Sequence, residues 1–237
     1  MTVSGAAGAG RKPVVPCAVL LVLAAAFAAL AVWQVQRLHW KEALISRVDA
    51  GMRATPLPLE RVAASDPAPF EYRRVIVSGR YRLSGTVLVS GASTRGSGYW
   101  VLAPLQTAGG IAYVNRGFMP LGTRIDTVRR QTPTGPVTVI GLLRVSEPGG
   151  GFLRANRPAE DRWYSRDIAT IAAARHQRAD PRLFVDAFSE SPAAPYAPIA
   201  GLTVVSFPNN HLSYALTWAA LAILSASGAF VLWRKPR

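Results

Sequence analysis

Two apolar runs, Val14 to Trp33 and Leu212 to Trp233, constrain this 237-residue chain more than anything between them. At about 1.5 Å per helical residue a run of 22 residues spans roughly 33 Å, against about 30 Å of bilayer hydrocarbon. The first run, with 20 residues, just crosses. Hydrocarbon leaves no partner for backbone N–H and C=O groups outside the segment itself, so both runs are expected to be helices. Arg11 and Lys12 precede the first run and Ala29-Leu30-Ala31 imitates a cleavage site, so a removed signal is the competing reading. Its apolar length exceeds the usual signal core of about 7–15 residues, and Trp33 and Trp40 read as interface anchors, which favours a permanent span.

The expected order is a tail (1–13), a transmembrane helix (14–33) whose helical patterning continues to about Val48, a domain (34–211), a second transmembrane helix (212–233) and a short tail (234–237). Two spans return both ends to one side. Arg11, Lys12, Arg234, Lys235 and Arg237 outweigh Arg37, Lys41 and Arg47 in making that side cytoplasmic. The expected location is the cell membrane of a bacterium, with the central domain outside. That domain carries 22 of the 27 basic and all 13 acidic residues, a net charge of +9. A pI near 11.1 invites a nucleic-acid partner, but the basic residues are scattered and the chain is tethered, so none is expected. Arginine outnumbers lysine 24 to 3, which fits a composition bias of the source, with attraction to anionic headgroups as a by-product.

Cys17, the sole cysteine, lies within the first helix, which leaves the domain without disulfides and without a thiol pair for Cu(I). Met1, Met52 and Met119 are too far apart in sequence to replace one. H-E-x-x-H, C-x-x-C, phosphate-loop and G-x-S-x-G motifs are missing, and Asp126, Glu147 and Asp161 are scattered among turn residues, so catalysis is not expected.

Within the domain, Thr55 to Phe70 contains four prolines and reads as a loop. Alternating, β-branched segments follow at 73–81, 86–91, 99–105, 111–117, 137–144, 182–188 and 202–207, with Thr107 to Gly110 as a hairpin turn and a Pro/Ala-rich linker from Ser189 to Ala200. One helix is expected at Ser165 to Arg175, capped by Ser165. The fold class is therefore two transmembrane helices bracketing one antiparallel β-rich domain, open to barrel closure, with a few helices. Ala215, Ala219, Ala222 and Ala226, and Ala18, Ala25 and Ala29, form small-residue stripes that suit either close helix packing or contact with lipid.

The last histidine, His211, stands at the mouth of the second apolar run, with Tyr214 and Trp218 at i+3 and i+7. An interfacial aromatic belt and a ligand site both fit that spacing. Trp33, Arg37 and Trp40 recur at i, i+4 and i+7 at the corresponding end of the first helix, and His39 falls off their face. Asn209 and Asn210 suit N-caps for the second helix.

The block WQVQRLHWK from Trp33 to Lys41, then Gly79-Arg80-Tyr81, WVLAPL from Trp100 to Leu105, VNRGFMP from Val114 to Pro120, GLLR from Gly141 to Arg144 and NNHLSYALTW from Asn209 to Trp218 together resemble the Surfeit locus protein one family, assembly factors of cytochrome c oxidase. The resemblance covers nearly the whole chain, and its first and last blocks are the specific ones. Ala31 stands where the family often has glycine, and Phe118 where it usually has tryptophan.

The resemblance implies a non-enzymatic membrane factor that holds or delivers haem a to oxidase subunit I, with haem a synthase as a second partner and the histidine heading the second helix, here His211, as the iron contact. Arg37 would then meet the propionates or else anchor the first helix to headgroups. Tyr214 could hydrogen-bond the haem edge, and Trp218 or Trp33 could stack on it or simply pack. Asn115 and Arg116 read as turn-forming, with a docking surface for subunit I or the synthase as their functional alternative. Two other functions remain open: a scaffold that binds oxidase subunits without haem, and an outward-facing enzyme.

Overall fold

The computed structural model describes residues 13–151, 154–203 and 207–234. They fall into two compact units, one of residues 47–205 and one formed by the two ends of the chain, 1–46 and 206–237.

The larger unit is a seven-stranded mixed sheet. Its strands are β1 (Leu57–Pro58), β2 (Arg74–Tyr81), β3 (Val87–Ser93), β4 (Gly96–Thr107), β5 (Gly110–Pro120), β6 (Val137–Val145) and β7 (Ala179–Ser191). They lie in the order β1-β2-β6-β7-β5-β4-β3. Most neighbours are antiparallel, but β1 runs parallel to β2, and β5 parallel to β7. The last residues of β2 also pair with β4, Arg80 opposite Gln106 and Tyr81 opposite Leu105, so β2, β6, β7, β5 and β4 form a closed ring of paired strands. Gly79 makes that closure possible: a Cβ there would lie 2.2 Å from the Gln106 carbonyl oxygen.

Parts of β4, β5 and β7 carry consecutive buried apolar residues because neighbouring residues serve two cores. Val75, Val77, Ala103, Leu105, Val114, Val137, Val139, Leu143 and Val185 meet in one cluster, covered by Leu59 and Val62 of the short helix α2 (Leu59–Ala63). The alternate residues Leu102, Tyr113 and Phe184 join Val87, Val89 and Trp163 in a second, under Ile168 and Ile171 of α4 (Ile168–Ala174). Each Val, Leu, Ile or Phe side chain among them contributes about 1.5–3 kcal/mol when fully buried. The cap of α4 is Asp167 rather than Ser165: Asp167 accepts from the Thr170 N–H at 3.1 Å and the Thr170 hydroxyl at 2.8 Å. The expected loop at 55–70 contains β1 and α2, and a further helix, α3 (Ile125–Arg130), follows β5. No strand begins at Leu202 and Thr203, and residues 204–206 of that expected strand lie outside the described ones.

The other unit contains the helices long and apolar enough to cross a membrane. These are α5 (His211–Arg234) and, as far as residue 46, α1 (Val14–Arg53), whose last residues belong to the larger unit and which runs five residues beyond the expected end. On α1 the shielded positions are Cys17, Leu20, Ala24, Phe27, Ala31, Gln34 and Leu38, alternating in steps of three and four; the residues between them are exposed. On α5 the corresponding row is His211, Ala215, Trp218, Ala222, Ser225, Ala229 and Leu232. Such spacing is that of a left-handed antiparallel seam. Ala18, Ala25 and Ala29 lie off it and are exposed, so close packing on the first helix does not use the alanine stripe.

Candidate functional site

Three contacts mark the seam from one end to the other. The Cys17 thiol donates to the Ala229 carbonyl at 3.6 Å, Phe27 stacks on Trp218 with ring centroids 5.6 Å apart, and Gln34 Oε1 lies 2.7 Å from His211 Nδ1. Near Cys17 the helices border a crevice of about 550 Å³ lined by Val14, Cys17, Leu21, Phe230 and Trp233, with little to bind a polar group. At the other end two polar side chains occupy seam positions. Gln34 is buried and His211 half-buried.

An amide oxygen accepts only, so with Gln34 Oε1 as its partner a neutral His211 ring would carry its proton on Nδ1 and its lone pair on Nε2. No group among the described residues hydrogen-bonds to Nε2. Between membrane helices such a bond contributes about 0.6–1.7 kcal/mol, small beside the packing of the whole seam, so its main consequence is the orientation of the ring.

The aromatic face proposed for α5 divides. Trp218 turns inward onto Phe27, whereas Tyr214 is exposed. Arg37 is exposed one turn beyond Gln34, its guanidinium 3.9 Å from the centre of the Trp40 ring, and no bond joins it to His211. Trp33 is exposed. The structure thus joins His211 to Gln34, which is not among the site residues expected from the sequence; the seam spacing from Cys17 through Phe27 to Gln34 is the available signal. Asn210 supplies its backbone carbonyl to the Tyr214 N–H, but neither asparagine side chain caps α5, and Asn209 Oδ1 is buried without a donor among the described residues.

Asn115 and Arg116 are neither turn residues nor a docking surface. Both lie within β5, at 0% and 1% exposure. Asn115 donates to Asp186 at 2.6 Å and accepts from the Gly117 N–H at 3.2 Å. Arg116 grips both Glu190 oxygens at 2.8 and 2.9 Å and donates to the Thr132 hydroxyl at 2.6 Å. Tyr81 donates to the same carboxylate at 2.6 Å. Burial and then the Glu190 charge push the Tyr81 phenol well above its usual range. Burial alone would lower Arg116, but its hydrogen bonds to Glu190 reverse that and raise it.

Residues 21–223 match the SURF1 family profile. The chain belongs to the SURF1 family. Surfeit locus protein 1 of Mus musculus is 34% identical over 223 residues, covering 85% of this chain and 70% of that protein. The Homo sapiens protein is 32% identical, covering 92% and 76%. A SURF1-like protein of Monosiga brevicollis is 30% identical, covering 87% and 83%. The matched span takes in Gln34, Arg37, His211 and Trp218 together with the whole sheet. Among the described residues of this family member no group of three or more His, Cys, Asp or Glu could hold a bare metal ion. A haem iron would need a nitrogen donor from the protein, and the imidazole of His211 fits that need.

Proposed function

We propose that this chain is a two-span membrane protein that assists the maturation of a haem-copper oxidase by holding haem a at His211 and delivering it to subunit I, with haem a synthase as the donor partner. The observation that carries this reading is the Gln34–His211 bond, which engages Nδ1 and leaves Nε2 able to ligate. Bound haem would supply the redox-active iron. Gln34 orients the ligand, and Arg37, already stacked on Trp40, is the cation proposed for the propionates. Tyr214 and Trp33 are exposed and could line the haem edge, whereas Trp218 is committed to Phe27. The basic tail residues support both termini being cytoplasmic, in a bacterial cell membrane.

A second reading, a scaffold that binds oxidase subunits without haem, is favoured by the internal stacking of Trp218 and Arg37. Titration of the detergent-purified protein with haem a separates the two. Wild type is expected to develop a ligated Soret band that His211→Ala loses; no Soret change in either protein would leave the scaffold.

A further inference from the structure

We propose that Gln34 is a positioning residue for His211, fixing the ring as the Nδ1–H tautomer and setting how tightly Nε2 holds an iron. This role rests on the haem reading above and deepens it. A histidine side chain free in water favours the Nε2–H form, which points its lone pair from the other nitrogen. An acceptor oxygen 2.7 Å from Nδ1 reverses that preference and turns Nε2 into the donor. Gln34 occupies a seam position, where neighbouring turns of α1 and the facing helix limit its freedom to swing away. Its amide is neutral. A carboxylate in its place would draw the Nδ1 proton harder and make the ring a stronger donor, so an amide suits a ligand that must also release its cargo.

The test begins without haem. In detergent-solubilised full-length protein with ¹⁵N-labelled histidine, the ring-nitrogen shifts of His211, assigned by comparison with His211→Ala, should report Nδ1–H. Gln34→Leu should move them toward Nε2–H and weaken haem a binding about 10- to 100-fold. Gln34→Glu keeps an acceptor: it should retain the Nδ1–H form and bind haem a at least as tightly as wild type, with a lower haem reduction potential. A wild-type Nε2–H ring, which the opposite amide orientation would produce, overturns the inference. So does Gln34→Leu binding haem within twofold of wild type with its tautomer unchanged. A merely structural Gln34 would lower thermal stability on substitution and leave tautomer and potential alone. Haem binding that survives His211→Ala would overturn the haem reading instead, and the haem-free tautomer measurement distinguishes that failure from a failure of Gln34.

Discussion

Arg116→Met should destabilise the full-length protein by about 3–5 kcal/mol, because it removes one partner of a buried ion pair and leaves the other charged in the core. The Arg116 side chain is 0% exposed and that of Glu190 8%. Glu190 would keep the Tyr81 hydroxyl but lose two charged donors, and the Thr132 hydroxyl would lose its guanidinium. For a domain of this size the loss corresponds to a fall of roughly 6–20 °C in Tm, read by thermal unfolding in detergent. Glu190→Gln should fall in the same range, and Arg116→Met with Glu190→Leu should recover much of the loss, since an apolar replacement of both partners strands no charge. Single variants within about 1 kcal/mol of wild type would mean that water reaches the pair.

The same burial predicts an alkaline weakness. The folded pKa values of Tyr81 and Tyr113 are raised, mainly by desolvation. A raised folded value means that the unfolded chain releases its proton first. The contribution of these phenols is therefore complete below about pH 10 and declines above it, and Tm measured from pH 8 to 11 should turn downward near 10. Tyr81→Phe should flatten the curve.

The parts of this protein that sequence made legible are those with a local cause. Apolar length marked α1 and α5, alternation marked β2 to β7, and the Gly109-Gly110 pair marked the hairpin that joins β4 to β5. The misses involve distant partners. Leu57–Pro58 forms a strand only because Val75 and Ile76 lie beside it, so a proline-rich stretch gives no local sign of pairing. Ser165 looked like a cap from spacing, but its hydroxyl accepts from Asn156, 9 residues away, while Asp167 takes the helix terminus. Likewise Gln34 reads as one polar residue among several after Trp33, and it acquires meaning only through a contact 177 residues along the chain. Asn115 and Arg116 belong with these misses. A polar pair before glycine usually marks a turn, yet here each residue has a buried partner more than 70 positions away, Asp186 and Glu190.

Gly117→Ala should cost roughly 2–6 kcal/mol, combining about 1–3 for a backbone conformation that alanine rarely adopts with about 1–3 for displacing a packed segment. Gly117 has φ +130°, and a Cβ there would lie 2.4 Å from the Ile199 carbonyl oxygen and 2.7 Å from the Ala200 nitrogen. That approach cannot be relaxed cheaply, because Phe118 and Ile199 exchange two backbone hydrogen bonds at 2.9 and 3.0 Å, and the Gly117 N–H is itself held by Asn115. Gly135→Ala is the control: nothing lies within 4 Å of the added methyl, and its effect should stay within about 0.5 kcal/mol. Haem a titration of the Gly117→Ala protein at a temperature where it remains folded then decides what the motif from Val114 to Pro120 does. Unchanged affinity per folded molecule confines the motif to holding strand β5 against Ile199 and Glu190. Weakened affinity in a folded variant would make the motif part of the haem site proposed at His211.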